Sequence, residues 1–282
     1  MIPFRAEATN PQDGVPIAWD SVGATDRETV LLVHGSALSK AIWRGMGYVA
    51  TLTEQYRVVS MDLRGHGRSG KPHDRADYRL DRVLADVLAV LDAAGVRQAH
   101  YLGYSFGARL GFGLGSVAPE RMASFVSLAG SYRITPGSIA ELFFPGYDAA
   151  LASGGIDGFI AGWEGRTGRP VDPVTRMAFK ANDPLALRAY FAQTEAGEGV
   201  PESTLREFPV PALLLAGTRD TRRLADSRRA AELMPHARLV ELPGRNHGDT
   251  LVPAAPVLAE ILPFIAAHPV RPEPPTPGLP AP

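Results

Sequence analysis

The chain has 282 residues, 45% of them hydrophobic, and a formal net charge of −1 at pH 7. A chain of this length can bury a sizeable core, and its near-neutral charge gives no electrostatic reason to expect a nucleic-acid or membrane partner. The absence of cysteine excludes disulfides, thiolate metal sites and a cysteine nucleophile. The seven histidines show no metal-binding spacing, so we expect no metal and no cofactor, and a small-molecule substrate.

The first residues do not show the pattern of a signal peptide, and the last residues are rich in proline. Residues 1–7 lack a basic segment followed by an apolar run, and no stretch of about 18 apolar residues occurs anywhere. We therefore expect a soluble, cytoplasmic protein whose oligomeric state the sequence leaves open. Residues 269–282 are dense in proline, which predicts a disordered, extended tail.

Strand-like apolar runs alternate with helix-like runs along most of the chain, which predicts a mostly parallel α/β sheet covered on both faces. The predicted strands are Pro16–Ser21, Val30–Val33, Tyr56–Met61, Ala99–Leu102, Met122–Leu128, a run that begins at Pro211, and Ala237–Leu242. Apolar residues at a 3.6-residue spacing predict a helix over Leu80–Ala94. The alternation stops between Ser131 and Phe208. We therefore expect a core of residues 1–130 and 208–268 and a helical lid insert of residues 131–207.

The stretch Gly103-Tyr104-Ser105-Phe106-Gly107 is a G-x-S-x-G sequence between a strand-like run and a helix-like run. This context is typical of a nucleophile elbow, in which a tight turn exposes a serine and small neighbours avoid crowding it. The five residues alone occur in many glycine-rich turns, so the interpretation depends on finding partners for Ser105.

A serine hydroxyl becomes a good nucleophile when a base takes its proton and an acid orients that base. Asp220 follows the strand that begins at Pro211, and His247 lies in the loop after Ala237–Leu242. The order serine, acid, histidine is that of one particular fold. Asp220 could also serve as the N-cap of a helix over Thr221–Met234, and the two roles are compatible. No acidic residue follows Met122–Leu128 at Gly130-Ser131, which favours Asp220 as the acid.

Acyl transfer also needs backbone N–H groups that stabilise the developing oxyanion. The strand Val30–Val33 leads into the turn His34-Gly35-Ser36. We expect the N–H of Ser36 and the N–H of Phe106 to form this oxyanion hole. His34 comes too early in the chain order to be the base, and we interpret it as a histidine that fixes its loop.

Four other charged or titratable residues invite a functional interpretation. Arg64 and His66 lie in the glycine-rich turn from Asp62 to Gly70 and could contact a substrate, but we favour a structural role. Arg133 and Arg166 lie in the insert and could bind a substrate carboxylate, but we favour solvated side chains.

Together the chain resembles the α/β-hydrolase family, in the branch of cofactor-free esterases, lactonases, carbon-carbon bond hydrolases and haloperoxidase-like perhydrolases. The resemblance rests on His34-Gly35, Asp62–Ser69, the elbow, Asp220 and His247. In this family an insert of this size covers the nucleophile. The resemblance therefore implies an apolar roof from the insert, whose candidates are Leu142, Phe143, Phe144, Phe159, Trp163, Phe179, Tyr190 and Phe191. Of these, Phe143, Trp163 and Phe179, together with Trp43, are our candidates for the substrate pocket.

The expected function is that of a serine hydrolase that cleaves a small ester or lactone through an acyl-enzyme. Carbon-carbon bond hydrolysis and perhydrolysis remain alternatives with the same residues. A non-hydrolytic lyase or a ligand-binding descendant of the fold is the alternative from another class. Dehalogenases and epoxide hydrolases of this fold carry an aspartate at the elbow, where this chain has Ser105.

Overall fold

The computed structural model describes residues 3–271, and the elements below belong to that range. Its strands are β1 (Phe4–Thr9), β2 (Pro16–Val22), β3 (Thr29–Val33), β4 (Arg57–Met61), β5 (Ala99–Tyr104), β6 (Met122–Leu128), β7 (Ala212–Gly217) and β8 (Ala237–Leu242). Its α-helices are α1 (Ala41–Gly45), α2 (Tyr48–Leu52), α3 (Leu80–Ala93), α4 (Phe106–Val117), α5 (Ser138–Leu142), α6 (Tyr147–Thr167), α7 (Pro173–Lys180), α8 (Pro184–Ala196), α9 (Glu202–Arg206), α10 (Thr221–Leu233) and α11 (Ala254–Ala266). Short 3-10 helices cover Arg75–Tyr78, Pro119–Arg121 and Gly248–Leu251.

The strands of this range form one sheet in the order β1-β2-β4-β3-β5-β6-β7-β8. The six strands from β3 to β8 run parallel to one another, whereas β2 is antiparallel to both β1 and β4. Each parallel connection therefore returns over a face of the sheet, and the carboxyl ends of these strands meet at one edge. The predicted α/β class with a mostly parallel sheet is confirmed.

The sheet separates two apolar cores because successive residues of a strand point to opposite faces. In β3, Leu32 packs in the core that includes α1, α2 and α11, and Leu31 packs in the core that includes α3, α4 and α10. Both leucines are fully buried. A strand that is buried on both faces needs apolar residues at successive positions, which explains the continuous apolar run in its sequence. The sheet is thus covered on both faces, as the alternation of elements predicts.

The predicted strands and helices agree with the structure to within one or two residues at most ends. The strand β1 is the main omission, because its residues are largely exposed at the edge of the sheet. The alternation of Phe4, Ala6 and Ala8 with polar residues was the available signal. Phe4 contacts the ring of Trp19 on β2, with ring centroids 5.7 Å apart.

The segment between β6 and β7 contains the five helices α5 to α9 and contributes no strand to the sheet. Most of the predicted tail lies outside the described residues. Its described part, residues 269–271, is hydrogen-bonded to the core: Val270 N donates to Glu28, and Arg271 N donates to Gln98. Within residues 3–271, no helix combines the length and the apolar character needed to cross a membrane.

Candidate active site

Ser105 lies in the sharp turn between the end of β5 and the start of α4. Its backbone angles are φ 54° and ψ −110°, a region that residues other than glycine rarely adopt. Such strain persists only where the surrounding structure enforces it, and it is found most often at functional sites. The turn exposes the Ser105 hydroxyl at the carboxyl edge of the sheet.

The two glycines of the elbow allow close backbone approach. A Cβ atom on Gly103 would lie 2.5 Å from the carbonyl carbon of Gly107, and one on Gly107 would overlap the carbonyl oxygen of Val33. Neither glycine has a positive φ. They are therefore required because α4 begins directly against β5 and β3, and any side chain would push the helix away from the sheet.

Three side chains from separate loops at this edge form one hydrogen-bonded chain. His247 Nε2 lies 3.0 Å from Ser105 Oγ, and His247 Nδ1 lies 2.7 Å from Asp220 Oδ2. A carboxylate only accepts hydrogen bonds, so Nδ1 carries the proton and Nε2 is free to accept one from the serine hydroxyl. This tautomer is the one that a general base acting on Ser105 requires.

The carboxyl group of Asp220 belongs to this chain and not to the helix that follows it. Asp220 occupies the N-cap position of α10 but makes no capping hydrogen bond with its side chain. Burial opposes its ionisation, yet the hydrogen bond from His247 and the charges of His247 and Arg223 keep the pKa of Asp220 below its ordinary value. Asp220 is therefore an anion at neutral pH.

The predicted oxyanion donors belong to two residues that line the same cavity as Ser105. Ser36 follows β3 and Phe106 is the first residue of α4. Within residues 3–271 neither backbone N–H has a protein acceptor. The side chain of Ser36 shares a hydrogen bond of 2.6 Å with the hydroxyl of Tyr190 on α8, which ties this turn to the insert.

Buried polar side chains hold the turn that carries Ser36. His66 Nε2 accepts a hydrogen bond of 3.0 Å from Ala37 N, and His34 Nε2 accepts one of 3.1 Å from Leu63 N. Asp62 accepts hydrogen bonds from both the backbone N and the Nζ of Lys40, at 2.7 and 2.6 Å. His34 and His66 thus have the structural roles that the sequence favours.

The arginines considered for substrate binding are engaged elsewhere. Arg64 is buried and pairs with Asp86 and Asp13, at 2.6 and 2.8 Å. Arg133 pairs with Glu202 at 2.6 Å, and Arg166 donates to the carbonyl of Ala140 at 2.9 Å. None of the three borders a cavity at Ser105.

A cavity of about 270 Å³, the large cavity, lies between the insert and the core and is bordered by both Ser105 and His247. Three of the predicted pocket residues, Phe143, Trp163 and Phe179, line it. Their rings contact one another, with centroids 5.2 to 6.4 Å apart. The large cavity therefore offers an aromatic patch beside the serine, and its lining also includes the polar residues Thr167, Arg169, Thr175 and Asn246.

The prediction of Trp43 as a pocket residue is wrong. Its side chain is fully buried and packs edge-on against Tyr48, with ring centroids 5.3 Å apart. Trp43 belongs to α1, which turns this residue into the core and leaves it outside the wall of the large cavity. Of the other roof candidates, Leu142 lines the cavity, whereas Phe144, Phe159 and Phe191 form the apolar core behind it.

Comparisons with known proteins agree with this fold. A family model of the alpha/beta hydrolase fold matches residues 28–159. A pimeloyl-[acyl-carrier protein] methyl ester esterase of Methylococcus capsulatus is 33% identical over 68% of this chain and 76% of its own length. The chain belongs to the α/β-hydrolase family. It is an enzyme of that family.

Two other known proteins are similar to this α/β-hydrolase over nearly its whole chain. A non-heme chloroperoxidase of Burkholderia pyrrocinia is 28% identical over 91% of this chain and 98% of its own length. The crystal structure of a hydrolase from Pseudomonas aeruginosa PA01 has a TM-score of 0.76 and 28% identity, covering 92% of this chain and 97% of that one.

Two features of this hydrolase's site were missed in the sequence. Tyr104, beside the nucleophile, donates its hydroxyl hydrogen to the carbonyl of His247 at 3.0 Å and so positions that loop. Arg109 and Arg223 border a second cavity of about 20 Å³, the small cavity, which is also bordered by Ser105. Arg109 could have been predicted to lie beside the nucleophile, because it follows Ser105 by one helical turn. In residues 3–271, no cluster of three His, Asp or Glu side chains has the arrangement of a metal site.

Proposed function

We propose that the protein is a serine hydrolase that cleaves a small ester or lactone through an acyl-enzyme. Ser105 is the nucleophile, His247 the general base and Asp220 the residue that orients the base. The observation that carries the proposal is the hydrogen-bonded chain Asp220–His247–Ser105, with heavy-atom distances of 2.7 and 3.0 Å. The esterase relative from Methylococcus capsulatus supports the ester class of substrate.

The reaction proceeds in two half-reactions. Ser105 Oγ attacks the carbonyl carbon as its proton moves to His247 Nε2, and the N–H groups of Ser36 and Phe106 stabilise the resulting oxyanion. Collapse of this intermediate expels the alcohol, which takes the proton from His247. A water molecule, activated by His247, then attacks the acyl-enzyme and releases the carboxylic acid. Asp220 stabilises the imidazolium in both half-reactions.

The aromatic patch of Phe143, Trp163 and Phe179 in the large cavity favours an alkyl or aromatic group beside the scissile bond. Because His247 borders this cavity, a leaving alcohol held there lies next to the group that must protonate it. We infer that the insert acts as a lid over this part of the substrate. Its aromatic side chains would also exclude water other than the attacking molecule.

Labelling with a fluorophosphonate probe tests the nucleophile, and a panel of p-nitrophenyl esters from acetate to dodecanoate tests the reaction. We expect labelling and turnover of short esters by the natural chain, and loss of both in Ser105→Ala. Ser116→Ala, which removes another hydroxyl from α4, is the matched control and should keep both. No labelling of folded protein would refute the activated serine and favour a lyase or ligand-binding function.

Perhydrolysis is a second candidate, which the similarity to a non-heme chloroperoxidase favours. In that reaction hydrogen peroxide replaces water in the attack on the acyl-enzyme and releases a peracid. The same residues would act in the same roles. Peracid formation from acetate esters and peroxide, measured beside acid formation, separates the two outcomes.

A further inference from the structure

The small cavity contains buried polar atoms that lack partners. Arg109 Nε, Arg109 Nη1 and Ser138 Oγ are each closed to solvent, and none has a hydrogen-bond partner in residues 3–271. All three belong to side chains that border the small cavity. Buried donors without acceptors are costly, and a native structure that keeps several in one cavity points to a missing ligand.

The charges around this cavity favour an anion. Arg109 and Arg223 both border it, and in the described part of the chain Arg223 makes no side-chain hydrogen bond or ion pair. The nearby acids are already engaged: Asp226 accepts from Ser131 Oγ at 2.5 Å, and Asp220 accepts from His247. Burial and the neighbouring arginines lower the pKa of Arg109 to about 10, so it is still a cation at neutral pH.

Size and position restrict the anion further. A volume of about 20 Å³ accommodates a carboxylate or an ordered water more readily than a tetrahedral phosphate. The N–H of Arg109 donates to the carbonyl of Ser105 at 3.1 Å, so one helical turn separates the two side chains. A carboxylate on Arg109 would therefore lie a few atoms from a carbonyl group on Ser105.

The position of His247 assigns this carboxylate to one side of the substrate. His247 borders the large cavity but not the small one. Because His247 protonates the leaving alcohol, the alcohol lies in the large cavity and the acyl part extends towards Arg109. This step rests on the proposed function.

We propose that the acyl part of the substrate ends in a carboxylate that binds Arg109 and Ser138 in the small cavity. The preferred substrate class is then the monoester of a short dicarboxylic acid, with an apolar alcohol in the large cavity. Arg109 Nε, Arg109 Nη1 and Ser138 Oγ are closed to solvent, so these donors bind a carboxylate strongly because they lose no solvent contacts to do so.

A matched pair of esters tests the proposal. Monobenzyl succinate carries the acyl carboxylate, and benzyl 4-methylpentanoate replaces it by an isopropyl group of the same shape. We expect kcat/KM for the succinate to exceed that for the neutral ester by about tenfold or more, as hydrogen bonds to a charged group provide. Equal use of the two esters, or a preference for an anion on the alcohol side, as in 4-carboxybenzyl 4-methylpentanoate, would overturn the proposal.

The variant Arg109→Met separates binding from a structural role. It should lower kcat/KM for monobenzyl succinate by about ten- to a hundredfold and change that for the neutral ester less than about threefold. Arg109→Lys should recover part of the loss, because it keeps the charge without the planar donor group. Arg238→Met is the control for the loss of a positive charge, because Arg238 lies at the start of β8 and the loop of His247 follows the other end of that strand. Its kcat/KM for both esters should match that of the natural chain. Equal losses on both esters would show that Arg109 only supports the fold.

A binding measurement tests the subsite independently of turnover, so it also applies if neither ester is cleaved. Calorimetry with monobenzyl succinate would compare Ser105→Ala with Ser105→Ala/Arg109→Met. We expect the second variant to bind at least about tenfold more weakly. Equal binding would mean that the small cavity holds only ordered water.

Discussion

The position of a single hydrogen, on Nδ1 of His247, governs the proposed chemistry. Asp220 accepts it at 2.7 Å, and the low pKa of Asp220 keeps that carboxyl group an acceptor at neutral pH. The opposite tautomer would direct an N–H towards Ser105 and leave no base for its proton. Asp220 therefore acts through His247 and is a positioning residue.

Replacement of Asp220 by asparagine tests this role. Asp220→Asn keeps the shape of the side chain but can donate to Nδ1, which favours the wrong tautomer. We expect kcat to fall by roughly three to four orders of magnitude, with little change in fluorescence-detected unfolding. Asp249→Asn is the matched control, because Asp249 is close to His247 and its carboxylate makes no hydrogen bond in residues 3–271. A comparable loss in the control would point to a general charge effect.

At the scale of elements, the site depends on how closely α4 approaches the sheet. The helix begins at Phe106 and packs against β5 and β6, and its first turn lies over the end of β3. Glycines at positions 111 and 115 of the same helix accommodate the rings of Phe125 and Phe208. This close packing holds Ser105 in its strained conformation and brings the Phe106 N–H to the site.

A methyl group at the first turn of α4 should disrupt this contact. Gly107→Ala places a Cβ against the carbonyl oxygen of Val33, which is backbone and cannot move aside. We expect a loss of about 3 kcal/mol or more in the free energy of unfolding, measured with urea. Gly165→Ala in α6 is the control: nothing lies within 4 Å of the added atom, so the helix should gain up to about 1 kcal/mol. A neutral result for Gly107→Ala would contradict the close approach.

At the scale of the whole molecule, several histidines are buried in their neutral form. His34, His66 and His100 are fully buried, and burial lowers the pKa of each, in the case of His66 to about 3. In the unfolded chain a histidine binds its proton near pH 6.5. Between that pH and the lower folded-state pKa, the unfolded state binds more protons, so acidification below about pH 6.5 costs stability.

The contribution of His66 to this pH dependence of stability can be measured by replacing the residue. Between pH 6.5 and 5, protonation of the unfolded chain at His66 should reduce the free energy of unfolding by up to about 2 kcal/mol. His66→Gln, which can keep one acceptor and one donor, should therefore lose less stability than the natural chain over this interval. The exposed His236 provides the control variant His236→Gln, whose pH profile should follow that of the natural chain. Parallel profiles for His66→Gln and the natural chain would refute the neutral, buried state of His66.

The sequence by itself determined the order of the elements and the chain positions of Ser105, Asp220 and His247. These features depend on local information: the period of apolar residues, and the loops that follow parallel strands. The strand β1 was not predicted, because a largely exposed edge strand has few apolar residues in a regular pattern.

Only the tertiary structure decided which side chains share a cavity. Trp43 turned into the core, whereas Arg109 and Ser138 met in the small cavity although 29 positions separate them in the chain. The packing of α5 to α8 over the carboxyl edge of the sheet decides these contacts, and many weak apolar contacts determine that packing. No short stretch of sequence contains them, because each contact joins residues that are distant in the chain.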